Sequence, residues 1–120
     1  MKKLLVLALI TLSTLTHAES VSKCAGTLLA VETPAFGGEK YTVDANWLIE
    51  DDGENLTASE GHIKMTGPVV QNGVAHVVSE KKTEQMTVIE LDERHVQIKG
   101  QTLHKTGKIV ANISGILTCK

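Results

Sequence analysis

The chain has 120 residues, 42% hydrophobic and 22% charged, with a formal net charge of −2 and a single Trp, Tyr and Phe. That length suits one domain, and the charge excludes a nucleic-acid or polybasic membrane surface, because either needs dense cations to neutralise phosphates. Three rings are also too few for the stacking platforms usual on carbohydrate and nucleic-acid surfaces.

Residues 1–18 have the three parts of a secretory leader: Lys2 and Lys3, an apolar stretch from Leu4 to Leu15, and small residues Thr16 and Ala18 before Glu19. Cleavage after Ala18 is predicted. A retained anchor needs about 20 apolar residues, whereas this stretch is shorter and broken by Thr11, Ser13 and Thr14. Cys24 follows Val21, Ser22 and Lys23 and so does not stand where a lipid-bearing cysteine would. Processing removes two lysines and takes the formal charge from −2 to −4. The expected product is a mildly acidic single β domain over 19–120, periplasmic or secreted, with no transmembrane anchor.

Both cysteines, Cys24 and Cys119, survive processing. In an oxidising compartment a lone pair of cysteines reads as a disulfide. Zinc is the rival, but neither thiol has the Cys-x-x-Cys or His-x-x-x-His company usual in zinc sites. A bridge of that span gives about 4 to 5 kcal/mol on the chain-entropy model and requires the first and last segments to lie side by side.

Along the chain, Ser22–Thr33 reads as a first strand, followed by turn chemistry from Pro34 to Gly38. Residues 40–50 then alternate: Tyr41, Val43, Ala45, Trp47 and Ile49 on one face, Lys40, Thr42, Asp44, Asn46 and Glu50 on the other. Period 2 of this kind marks a half-buried antiparallel strand and puts Tyr41 and Trp47 on the core face. After the turn Asp51, Asp52, Gly53, Glu54 and Asn55, Leu56 and Ala58 fall on even positions and Ile63 and Met65 on odd ones. One continuous strand there needs a phase change, with Gly61 the natural place for a bulge. Asn72-Gly73 between two Val-rich runs signals a hairpin. Residues 79–94 are ambiguous, since Ser79 to Glu84 suits a helix start while Met86 to Leu91 has strand composition, which is the stronger signal. Val96 and Ile98 alternate in the next segment. In the last, Ile109, Ala111, Ile113, Gly115, Leu117 and Cys119 share a face, so the terminal disulfide is expected to be buried.

The fold class is therefore all-β, a small antiparallel meander of seven or eight strands closed as a barrel or packed as a sandwich, with one disulfide tying first strand to last. The barrel is preferred because the disulfide ties first strand to last, and closure would also remove exposed edges.

No constellation specifies a reaction. His62, His76, His95 and His104 match no metal or catalytic spacing, although His62 and His76 could face one another across the Asn72 hairpin. The Asp51–Asn55 turn gathers oxygens without the alternate-position register of a calcium loop. Asp44 and Glu60 could meet, as carboxylates in most strand proteins can. There is no Gly-x-Ser-x-Gly elbow and no phosphate or dinucleotide loop. No catalytic residue, metal or cofactor is assigned, and the protein reads as no enzyme. The general plan of a small exported β-protein with one bridge is similar to that of periplasmic lysozyme inhibitors; the aromatic-rich strand pattern and Ser-Gly loop of the C-type inhibitors are absent, and the similarity transfers no residues.

The leading expectation is an exported binding module that occludes another envelope or secreted protein, in the manner of inhibitor and immunity proteins. Candidate contacts are Phe36, in its Gly-rich turn, and the acidic residues Asp51, Asp52 and Glu54. These lie at opposite ends of one strand, so at most one group belongs to a single binding edge. Two alternatives stand beside it: a small-molecule or lipid carrier with a barrel cavity, and a structural component of an envelope assembly.

Overall fold

The computed structural model describes residues 20–120; the leader expected over 1–18 lies outside the described residues. Eight strands follow in chain order: β1 Ser20–Glu32, β2 Lys40–Asp51, β3 Asn55–Glu60, β4 Ile63–Gln71, β5 Val74–Ser79, β6 Glu84–Glu90, β7 His95–Leu103 and β8 Ile109–Cys119. One 3₁₀ turn, Pro34–Phe36, stands between the first two. Each strand pairs antiparallel with the next, and β8 returns to pair with β1, giving a closed up-and-down barrel.

The side-chain alternation makes the wall. Inward positions form one apolar cluster that includes Leu28, Trp47, Ile49, Leu56, Met65, Val77, Met86, Val88, Ile98 and Leu117. Exposed outward positions include Lys23, Asn46, Lys99 and Asn112. The same outer face also carries exposed Val21, Leu29, Val78 and Ile116. No helix among the described residues is long and apolar enough to cross a membrane.

Small inward residues are matched by large neighbours. A Cβ on Gly115 would stand 2.7 Å from Leu28 Cδ2, and one on Gly26 would stand 3.1 Å from Leu117 Cδ2. At Gly100 it would run into the Gln85 carbonyl and the Met86 sulfur. These glycines let the wall bend and accept bulky side chains from across a strand pair.

Cys24 lies directly opposite Cys119 in the β1–β8 register, with Cα atoms 3.9 Å apart and the disulfide formed. Both are buried. The bridge thus fastens the seam at which the barrel closes, alongside the pairing that runs from there to Glu32 and Ala111.

Three expectations are corrected or settled. Gly61 is not a bulge: with φ 60° it helps reverse the chain between β3 and β4, which pair as a hairpin from Glu60↔Ile63, and the phase change in the sequence is the signature of that reversal. Residues 79–84 form a turn leading into strand β6, because the Ser79 hydroxyl oxygen accepts the Thr83 and Glu84 N–H groups, each at 3.0 Å, and so holds a tight loop where a helix would have begun. Tyr41 lies on the inward phase of β2, as Trp47 does, yet Tyr41 is 45% exposed and Trp47 6%. The β2–β3 pairing runs only from Leu48↔Ser59 to Asp51↔Leu56, so the first half of β2 extends past its neighbour.

The seam makes a quantitative demand. Replacing both cysteines, as C24A/C119A, is expected to lower unfolding free energy by about 4 kcal/mol through loss of a cross-link spanning 95 residues, read from denaturant curves of the two proteins. A loss below about 1 kcal/mol would show that strand pairing alone holds the closure. Gly100→Ala is expected to cost roughly 2 kcal/mol or more, since the methyl has backbone and not only a flexible side chain in its way.

Candidate functional site

An up-and-down barrel puts alternate turns at the same end. One rim therefore collects the β2–β3, β4–β5 and β6–β7 turns together with the start of β1 and the end of β8. The predicted acidic residues Asp51, Asp52 and Glu54 are on this rim, and the fold brings to them a second acidic turn, Glu90 to Glu93. Asp51, Glu90, Asp92 and Glu93 line the same mouth, with Ser20 and His95.

The turns are held by their own carboxylates. Asp52 Oδ1 accepts the N–H groups of Glu54 (2.9 Å) and Asn55 (2.8 Å), and Asp51 Oδ1 accepts that of Gly53 (2.8 Å). Gly53 has φ 94°, which glycine supplies without strain. On the neighbouring turn Asp92 Oδ1 accepts the Arg94 N–H at 2.7 Å and faces His95 Nδ1 at 2.9 Å. The backbone amides of Asn55 and Glu54 hold the Asp52 carboxyl below its ordinary value of 3.8. The Arg94 amide, followed by the His95 side chain, does the same for Asp92.

Each turn is also tied to the strand beyond it. Val69 N–H donates to the Glu54 carbonyl, Glu90 N–H to that of Gly73, and Cys119 N–H to that of Arg94. The rim is thereby fixed by bonds within the chain. Glu54, Glu90 and Glu93 make no side-chain hydrogen bond among the described residues, and all three are exposed. Their charges face solvent from a rigid frame. They do not form a cation cage: no group of three or more His, Cys, Asp or Glu placed to hold a metal ion occurs among the described residues.

Below this mouth is a cavity of about 60 Å³, bordered by Cys24, Ile49, Leu56, Val88 and Val96. That is room for a few waters, whereas pockets for drug-sized ligands run to roughly 300 to 1,000 Å³. Larger depressions lie elsewhere on the barrel, one of about 610 Å³ bordered by His76, Thr87, Lys99, Asn112 and Ser114 and one of about 550 Å³ bordered by His62, Lys64, Val78 and Glu80.

Phe36 is at the other rim. It is half-buried, and its ring lies 5.8 Å from that of His104, tilted by 37°. Thr33 Oγ1 donates to the Ile109 carbonyl at 2.9 Å and fastens the same loop to the start of β8. This rim carries Lys81, Lys82, Lys105 and Lys108 beside Glu39, Glu60 and Glu80, while Arg94 and Lys120 stand on the acidic rim. The structure does not bring Phe36 to the acidic turn. The histidines remain apart as well: His76 bonds Thr87 Oγ1 at 2.8 Å on the outer wall, while His62 sits in the β3–β4 turn. Glu60 meets the Asn46 N–H at 2.7 Å.

The sequence reading singled out one acidic turn and passed over the other. The signal for it is topological: in a meander every second turn shares an end, which brings Asp92 and Glu93 to the same rim as Asp51. Comparison with protein-family models, curated proteins and solved structures finds no match for this chain.

Asp52 provides a direct check on the rim. A carboxyl held below its ordinary value adds stability that is complete above 3.8 and is lost as pH falls through the lowered value. The Glu54 and Asn55 amide resonances are therefore expected to titrate together with a midpoint below 3.8, and Asp52→Asn is expected to abolish that titration. A midpoint at or above the ordinary value would mean that these bonds do not persist in solution.

Proposed function

We propose that this protein is an exported, non-enzymatic binding module that covers a cationic surface on another envelope or secreted protein, acting as inhibitor and immunity proteins do. The observation that carries the reading is the preorganised acidic rim, where Glu54, Glu90 and Glu93 project from turns already fixed by backbone bonds and by Asp51, Asp52 and Asp92. Complementary charge accelerates encounter and selects partners, and a frame fixed in advance lowers the ordering cost of association. The disulfide is compatible with an oxidising compartment. The small cavity under the acidic mouth, about 60 Å³, favours a surface role there over a carrier that encloses its ligand. Phe36 stands on the far rim and belongs to no contact made through the acidic turns.

The test is affinity capture on the immobilised oxidised protein from an envelope extract. One stoichiometric protein is expected, eluting as ionic strength rises. The variant E54K/E93K reverses two charges that hold no turn together, and is expected to weaken that binding by about tenfold or more with an unchanged melting temperature, while Phe36→Ala leaves it intact. An empty column, or capture indifferent to the charge reversal, would overturn the assignment.

A further inference from the structure

We propose that the open edge of β2 is a self-association surface on which a second copy of this chain adds its own β2, antiparallel, about a two-fold axis through Thr42. β1 accompanies β2 as far as Lys40, whereas β3 leaves it at Leu48. Residues 40–47 therefore have a strand on one side only. The Asn46 N–H, which points to the vacant side, is taken by Glu60 Oε2 at 2.7 Å. Backbone direction alternates along a strand, so the N–H and C=O groups of Lys40, Thr42 and Asp44 point to that same side, with no strand beside them. A row of unpaired backbone groups is a template for another strand.

The side chains along this edge match their own reverse. Centring an antiparallel pair on Thr42 puts Lys40 opposite Asp44 of the second copy, and Asp44 opposite its Lys40, on the outer face where all four are exposed. On the other face Tyr41 meets Val43 of the second copy. These two are 45% and 41% exposed in the single chain, although they lie in phase with the core. An aromatic and β-branched pair and an opposite-charge pair are both favourable across strands. In this register Thr42 faces its own copy, and Lys40 and Asp44 exchange both backbone bonds with their opposites. The contact is isologous and closes at two chains. It lies away from the acidic rim, so it does not depend on the reading above and either can fail alone.

The experiment is sedimentation of the oxidised full domain and three variants from micromolar to millimolar concentration. The wild-type protein is expected to approach twice the mass of one chain. K40D sets Asp against Asp at both ends of the register, D44K sets Lys against Lys, and each is expected to weaken the dimer by about tenfold or more. The double variant K40D/D44K restores opposite charges and is expected to recover it. Mixing K40D with D44K yields two opposite-charge pairs and is expected to give a mixed dimer that neither forms alone. A wild-type protein that remains one chain at every concentration overturns the proposal and makes Lys40 and Asp44 guards of a bare edge. A dimer unmoved by K40D and D44K, or not recovered by the swap, overturns it also.

Discussion

Closure of the β1–β8 seam is the constraint on which the rest of this structure depends. A meander of eight strands remains an open sheet unless its first and last members meet, and they meet here in a pairing that starts with Cys24 opposite Cys119. The covalent link acts mainly on the unfolded chain, which it deprives of the freedom of a loop of 95 residues. Once the ends are joined, the six intervening strands have a fixed circumference to fill. Alternation decides what fills it, since each strand sends every second residue to the same enclosed space.

That space is small, and its contents explain where function can be placed. Gly26, Gly100 and Gly115 stand where Leu117, Met86 and Leu28 come close, so residues that look like openings in the sequence are contacts in the fold. What remains under one mouth is about 60 Å³. With so little room under that mouth, chemistry is left to the rims and to the larger depressions elsewhere on the barrel. Antiparallel order then groups the turns into two sets, which is how two acidic turns separated by more than thirty residues come to line one mouth while the lysine-bearing turns gather at the other.

Strand length is the second decision made by the closed wall. β2 is twelve residues long and β3 six, so a single strand serves two roles: from Ala45 onward it keeps Ala45, Trp47 and Ile49 inside, and its first residues overhang with Tyr41 and Val43 uncovered. The hydrophobic pattern runs unchanged through both halves, because period 2 records which way a side chain points and not whether anything stands in front of it.

The sequence by itself determined the all-β class, the alternation over residues 40–50, the Asn72-Gly73 hairpin and the inward phase of Cys119, each a consequence of local pattern and turn chemistry. It also marked Asp51, Asp52 and Glu54 as a polar turn. Tertiary structure decided what local pattern does not contain: that the phase break at Gly61 is a chain reversal, that Ser79 ties a turn through the Thr83 and Glu84 amides where a helix start was readable, and that Tyr41 is uncovered while Trp47, in the same phase, is buried. It separated Phe36 from the acidic turn and joined Glu90, Asp92 and Glu93 to it. The physical reason is common to all of these. Periodicity fixes the direction of a side chain relative to its own strand, whereas exposure and neighbourhood depend on where the adjacent strands begin and end, and only the closed barrel sets that.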